Sequence, residues 1–200
     1  MTQDPLLTGK SGRIDRVMVP AMGFFAIDGQ GAPGGAAYAL AVSALYTLAN
    51  SARFAGKAHG HDIKVAPLEG LWWADDMAAF TQGHRDDWHW RMMIRASSWL
   101  EAGFMEDLRA AALHKKAKQP ELVAALKRVT LSPFDEGLCL QSLHLGPYAD
   151  EGPLIASLHA EAEAQGLALR GRHHEIYLSD PTRSAPENLK TLLRQPVRPA

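Results

Sequence analysis

One cysteine, Cys139, occurs in 200 residues. No disulfide can therefore form within the chain, and its fold must rest on burial and hydrogen bonding. So little cysteine fits a reducing compartment, and a cytoplasmic location is expected. An excess of charge of one sign is missing as well: 21 Lys and Arg face 22 Asp and Glu, a net charge of −1. With no basic stripe, direct binding to nucleic acid is not expected. Long apolar runs are also lacking. The longest apolar-rich stretch, residues 34–49, is interrupted by Tyr38, Ser43, Tyr46 and Thr47 and is too short and too polar to span a bilayer. The opening residues carry no basic segment followed by an apolar one, so neither a secretion signal nor a membrane partner is expected. No G-x-S-x-G nucleophile elbow is present.

What is present suits a globular protein. Hydrophobic residues make up 46% and charged residues 22% of the chain, enough for a sizeable core. Residues 1–16 read as a tail. Residues 22–29 read as a strand, 29–35 as a Gly-rich loop and 36–54 as a helix stopped near Gly56. The helix would turn Tyr38, Val42, Leu45, Tyr46 and Ala49 to the core. Strands are expected over 63–73 and 88–98, with a polar connection at 75–87 between them. Helices are expected over 101–118 and 121–129, separated by Pro120. After Pro133 the order restarts: strand 137–145, loop 146–152, helix 153–165 and strand 169–179. Ser184 and Glu187 have capping-box spacing, so Leu189, Leu192 and Leu193 would pack a last turn or two of helix before a short final strand. The fold class is α+β: two pseudo-symmetric strand-helix-strand-strand halves with antiparallel sheets. The halves fall at about residues 17–100 and 134–198, joined by a helical segment into one domain over 17–200.

The stretch 171–181, Gly-Arg-His-His-Glu-Ile-Tyr-Leu-Ser-Asp-Pro, carries the clearest chemical signal. In an extended strand, His173, Glu175 and Tyr177 point to one side, and His174, Ile176 and Leu178 to the other. The second side is the natural core side. If the first lines a pocket, the strand offers one acid or base flanked by two hydrogen-bonding groups. If it faces water, Glu175 is a solvated glutamate.

Two other patterns carry less. Gly29-Gln-Gly-Ala-Pro-Gly34 matches a dinucleotide fingerprint, but no acidic residue closes a second strand some twenty residues on, and Pro33 removes an amide donor. His59, His61 and Asp62 lie in a loop without a partner cluster, so no metal is expected there, and no cofactor elsewhere. Cys139 reads as a small buried hydrophobe.

Several segments in order resemble the GyrI-like small-molecule-binding domains: Ala26-Ile-Asp-Gly-Gln-Gly-Ala-Pro, Pro67-Leu-Glu-Gly-Leu-Trp-Trp, Leu145-Gly-Pro-Tyr, His174-Glu-Ile-Tyr-Leu-Ser-Asp-Pro, and the tail from Ala185 to Val197. The resemblance covers about residues 17–197. It implies two halves with a ligand cleft between them and a central acidic residue, which falls on Glu175. The Trp72-Trp73 pair looks like the stand-alone branch, some members of which hydrolyse the cyclopropane of DNA-alkylating natural products. On that basis Glu175 and Tyr177 are the expected catalytic residues, as general base and hydrogen-bond donor. Trp73, Trp90, Tyr148, Glu69 and His173 are the expected ligand contacts. The expected partner is a flat, aromatic or amphipathic small molecule. The rival reading is a non-catalytic binder that sequesters a drug or regulates a partner protein. With only about sixteen residues ahead of the first strand, a helix-turn-helix module is not expected.

Overall fold

The structure is a computed structural model that describes residues 4–61, 64–75, 84–100 and 102–200. The expected strand start at Ile63, the helix start at Glu101, Asp62 and most of the 75–87 connection lie outside the described residues. The class is α+β with antiparallel strand pairing. Strands are β1 (Asp15–Val19), β2 (Met22–Gln30), β3 (Leu68–Trp73), β4 (His89–Arg95), β5 (Thr130–Phe134), β6 (Gly137–Leu145), β7 (Leu167–Leu169), β8 (His173–Tyr177) and β9 (Lys190–Pro199). Helices are α1 (Ala36–Ala58), α2 (Ala102–Lys115), α3 (Pro120–Arg128) and α4 (Gly152–Ala164). The chain forms two compact units. One holds Met22–Leu68 and Trp72–Phe134, and the other holds Met1–Ala21, Glu69–Leu71 and Asp135–Ala200.

In the unit containing Met22–Leu68, β2 pairs with β4 on one side and β5 on the other. Helix α1 lies against β2 and β4, and α2 and α3 pack on it. Its buried face carries Ala41, Ala44, Leu45, Leu48, Ala49, Ala52 and Gly56. This face is rotated from the expected one: Tyr46 is exposed, and the small residues let the helix approach the sheet. Gly56 does not stop α1, which runs on to Ala58 and ends at His59. Gly29 is needed for packing, because a Cβ there would collide with the buried indole of Trp90.

In the unit containing Asp135–Ala200, β6 pairs with β1 and β9, and β9 pairs with β8 and β7. The expected single strand at 169–179 is two strands. The break holds Gly171 at φ +65°, a conformation that glycine adopts without strain. Residues 189–193 are not helical. Pro186–Asn188 form one 3-10 turn closed by Leu189, and Leu192 and Leu193 lie in β9. This strand is central and buried on both faces, so its sequence is a nearly continuous apolar run that period alone does not distinguish from a helix. Residues 4–14 are held in place rather than loose. Leu6 O accepts a hydrogen bond from Arg194 Nη2 at 2.6 Å, and Thr8 O accepts one from Gln141 Nε2 at 2.9 Å.

The register assigns side chains to faces, because directly opposed residues share one. Tyr177 opposes Thr191, Glu175 opposes Leu193, and His174 opposes Arg194. Leu140 opposes Gln195, and Ser142 opposes Leu193. One face therefore carries Tyr177, Glu175, Thr191, Leu193, Val197 and Leu140. Helix α4 covers it, with Leu158 and Ala162 buried against Leu140, Leu193 and Val197. The other face carries His174, Ile176, Leu192, Arg194 and Gln141, all at most 1% exposed.

Candidate functional site

The two faces of β8 differ in how their polar groups are satisfied. On the His174 face the charges close on one another. His174 Nδ1 is 2.8 Å from Glu136 Oε1, and His174 Nε2 is 3.0 Å from Glu69 Oε2 as an ion pair. Arg194 reaches Glu136 Oε2 at 2.9 Å and Gln141 Oε1 at 3.0 Å. Two cations thus face two carboxylates. Burial pushes the Glu136 carboxyl up, but His174 and Arg194 together hold it down at about 2. Burial pulls the His174 imidazole down, and Glu136 and Glu69 raise it to about 9. A charged imidazole is therefore built into the interior at neutral pH. Cys139 borders this network as a buried free thiol, pushed up to about 12 by burial and by the charge of Glu136, so it is chemically quiet.

On the opposite face Glu175 is partly sheltered, its side chain 15% exposed. Its Oε2 accepts a hydrogen bond from the Tyr177 hydroxyl at 2.7 Å. Its Oε1 lies 3.7 Å from His173 Nε2. Burial, then the neighbouring charge of His174, lower the His173 imidazole to about 3, so at neutral pH it is an uncharged ring. Tyr148 meets Tyr177 edge to face at 5.6 Å. Burial, and then the carboxylates Glu151, Glu175 and Asp180, push its phenol up to about 12, so it stays a hydrogen-bond donor. Glu151, just ahead of α4, is 3% exposed. Its Oε1 and both ring nitrogens of His173 are buried without closing a hydrogen bond. Orphaned buried polar groups are costly and uncommon, and a cluster of them marks a place where a water or a ligand would complete the bonding.

The structure thus brings together Glu175, Tyr177, His173 and Tyr148. It places Glu69 elsewhere: this residue is 2% exposed and bound up in the ion network with His174. Trp90 is 1% exposed and sits in a core with Tyr38, whose ring it meets edge-on at 5.7 Å. Trp73, half-buried, stacks on His89 at 5.6 Å in the unit containing Met22–Leu68. That unit also holds an aromatic cluster that the alternation of its strands does not single out. Tyr38 stacks on Trp72 at 6.1 Å, and Trp72 meets Trp88 edge-on at 6.0 Å. The sequence singles out neither Glu151, which stands directly before the proline-started helix, nor Thr191, which falls in the stretch expected to be helical.

His59 and His61 stack on Trp99, at 6.4 Å and 5.2 Å. Among the described residues no group of three or more His, Cys, Asp or Glu is arranged to hold a metal ion, and no helix is long and apolar enough to cross a membrane.

The sequence matches the GyrI-like small molecule binding domain over residues 14–198. A hydrolase from Listeria innocua shares 34% identity and superimposes with a TM-score of 0.82, over 96% of this chain and 95% of that one. An uncharacterized conserved protein from the same organism is also 34% identical, with a TM-score of 0.85 over 94% of both chains. The EcmrR C-terminal domain shares the fold at 9% identity, with a TM-score of 0.58 over 94% of this chain and 98% of that one. No curated protein matches. With the domain signature spanning nearly its whole length, this chain is a member of the GyrI-like small-molecule-binding domain family.

Proposed function

We propose that this protein binds a flat, apolar or amphipathic small molecule and hydrolyses cyclopropanoid DNA-alkylating agents, with Glu175 as the general base. One observation carries the reading: a sheltered carboxylate, oriented by the Tyr177 hydroxyl at 2.7 Å, sits among buried polar groups that close no hydrogen bonds. A carboxylate fixed in this way can hold a water and take its proton as that water attacks. The bond from Tyr177 favours the ionised form that a base requires. The similarity to a hydrolase at 34% identity supports catalysis over binding alone.

The chemistry asks little of the protein. Water attacks a cyclopropyl carbon, and the strained carbon–carbon bond opens toward a conjugated ketone, whose oxygen gains negative charge. Tyr148, a hydroxyl donor on this face, would stabilise that oxygen, because the Tyr177 hydroxyl is already given to Glu175. Ring strain supplies much of the driving force. The residues that would do this work are Glu175 and Tyr177, with Tyr148 and His173 lining the ligand. A protein of this kind would destroy an alkylator before it reaches DNA.

The test is turnover of a spiro-cyclopropyl cyclohexadienone, followed by loss of dienone absorbance, in the wild type and in Glu175→Gln. A catalyst loses about 100-fold or more in kcat while keeping most of its affinity. A binder without catalysis shows no wild-type turnover, and the substitution lowers affinity for a cationic ligand instead. Undiminished turnover in Glu175→Gln would remove Glu175 from the mechanism.

A further inference from the structure

Glu151 occupies the N-cap position of α4, yet its side chain makes no capping hydrogen bond. The turn that leads into it, Tyr148–Asp150, accepts the Glu151 N–H at Tyr148 O (3.3 Å) and sets the Tyr148 ring 5.6 Å from Tyr177, the residue hydrogen-bonded to Glu175. Glu151 is 3% exposed, and its Oε1 closes no hydrogen bond among the described residues. The helix that follows is anchored on the face that carries Glu175 through Leu158 and Ala162, so the position of Glu151 is set by packing. Two carboxyl groups brought close in a sheltered recess do not both ionise, because the second charge would be opposed by the first and by the loss of water.

We infer that Glu151 and Glu175 hold one proton between them, with Glu151 its bearer, and that Glu151 is the acid that answers the base Glu175. The catalytic half of this inference rests on the hydrolytic reading above. The proton belongs on Glu151 for two reasons. It is the more deeply buried of the two, and Glu175 already accepts the hydroxyl of Tyr177. Burial first, and the charge of Glu175 second, raise the Glu151 carboxyl above its ordinary range, and the nearby Thr191 hydroxyl offsets part of that rise. The α4 N-terminus also favours a charged Glu151, but this effect is weaker than burial beside a second carboxylate.

In the reaction, the oxygen of water bonds to the ring carbon as one of its protons passes to Glu175. The ring carbon–carbon bond breaks, and its electron pair moves into the conjugated ketone. The ketone oxygen takes the proton of Glu151. Transfer of the new proton from Glu175 to Glu151 restores the pair, so one turnover consumes one water and nothing else.

The decisive measurement needs no ligand. Infrared spectra of the full chain, labelled with carboxyl-¹³C glutamate, should show a protonated-carboxyl band at neutral pH that disappears on alkaline titration. Glu151→Gln should abolish the band, and substitution of the exposed Glu187→Gln should leave it. Absence of the band from the wild type at neutral pH, or its full survival in Glu151→Gln, would overturn the shared proton; the wild-type titration decides this even if the variant folds poorly. For the catalytic half, Glu151→Gln should reduce kcat for the cyclohexadienone at least 10-fold and remove the alkaline fall of the wild-type pH profile. An alkaline limb that persists in Glu151→Gln overturns the acid role. Lack of any wild-type turnover overturns the hydrolytic reading, while the infrared band still decides where the proton sits.

Discussion

The two faces of β8, one residue apart in sequence, treat buried charge in opposite ways. Behind His174, two cations and two carboxylates are matched, with His174, Glu136 and Arg194 joined by bonds of 2.8–2.9 Å. Across the strand, Glu175 shares its surroundings with a second carboxyl and an uncharged imidazole whose ring nitrogens close no bond. A neutral network of matched charges serves to hold strands and the N-terminal segment together. An unsaturated one retains bonding capacity, and that capacity is what a substrate or a water uses.

The largest expected effect comes from breaking the matched side. Arg194→Met leaves Glu136 with one cation fewer in a buried setting and should cost about 3–5 kcal/mol in chemical denaturation. The same variant should alter the pH dependence of stability. The contribution of the depressed Glu136 is present above its ordinary value of 4.5 and is lost as pH falls through about 2. That of the raised His174 is complete below 6.5 and is lost as pH rises through about 9. A stability loss below about 1 kcal/mol for Arg194→Met would mean that the network is not the structural anchor described here.

On the unsaturated side the expected effect is on rate. Tyr177→Phe removes the hydroxyl from Glu175 and should reduce kcat by about 100-fold. The acid limb of the pH profile should move to higher pH, because the carboxylate loses the bond that favours its charged form. Unchanged stability with unchanged turnover would erase the distinction between the two faces.

Glu151→Gln provides a comparison graded by pH. Folded Glu151 holds a proton that the unfolded chain releases near 4.5. The wild type should therefore lose stability as pH rises above that value, and the glutamine variant should not. The gap between them should widen by about 1.4 kcal/mol for each pH unit until folded Glu151 itself ionises. Thermal melts of both proteins from pH 5 to 8 measure this, and parallel curves would contradict it. The smallest effect is expected for an exposed ion pair. Arg91 grips Asp28 through two bonds of 2.7 Å in partial contact with water. Arg91→Met should cost less than about 1 kcal/mol, which urea titration can resolve from the Arg194 variant.

The alternation over residues 173–178 was enough to divide β8 into a His174 side and a Glu175 side, because the pleat of a strand has a strict period of two. Much of the order of strands and helices was also legible, apart from β1 and β5, which no periodicity announced, the division of 169–179, and the C-terminus. There Leu189, Leu192 and Leu193 have spacings that suit a helix, and only the neighbours β6 and β8 make the last two part of a strand. The tight spacing of Ala41, Ala44 and Leu48 did not reveal which stripe of α1 would be buried, since aromatic Tyr46 competed for the same role. Glu69 had nothing in its local sequence to show that it would meet a histidine more than a hundred positions away.

Local periodicity and composition, then, determined the α+β class, most of the elements and the division of Glu175 from His174 across β8, because each depends on the geometry of a few consecutive residues. The tertiary structure decided which charges are neutralised. Only the register of β8 on β9 brings Arg194 to the His174 side, and only the docking of α4 brings Glu151 to the Glu175 side. The energy of a buried charge depends on neighbours gathered from distant parts of the chain, and those neighbours exist only once the sheet has formed.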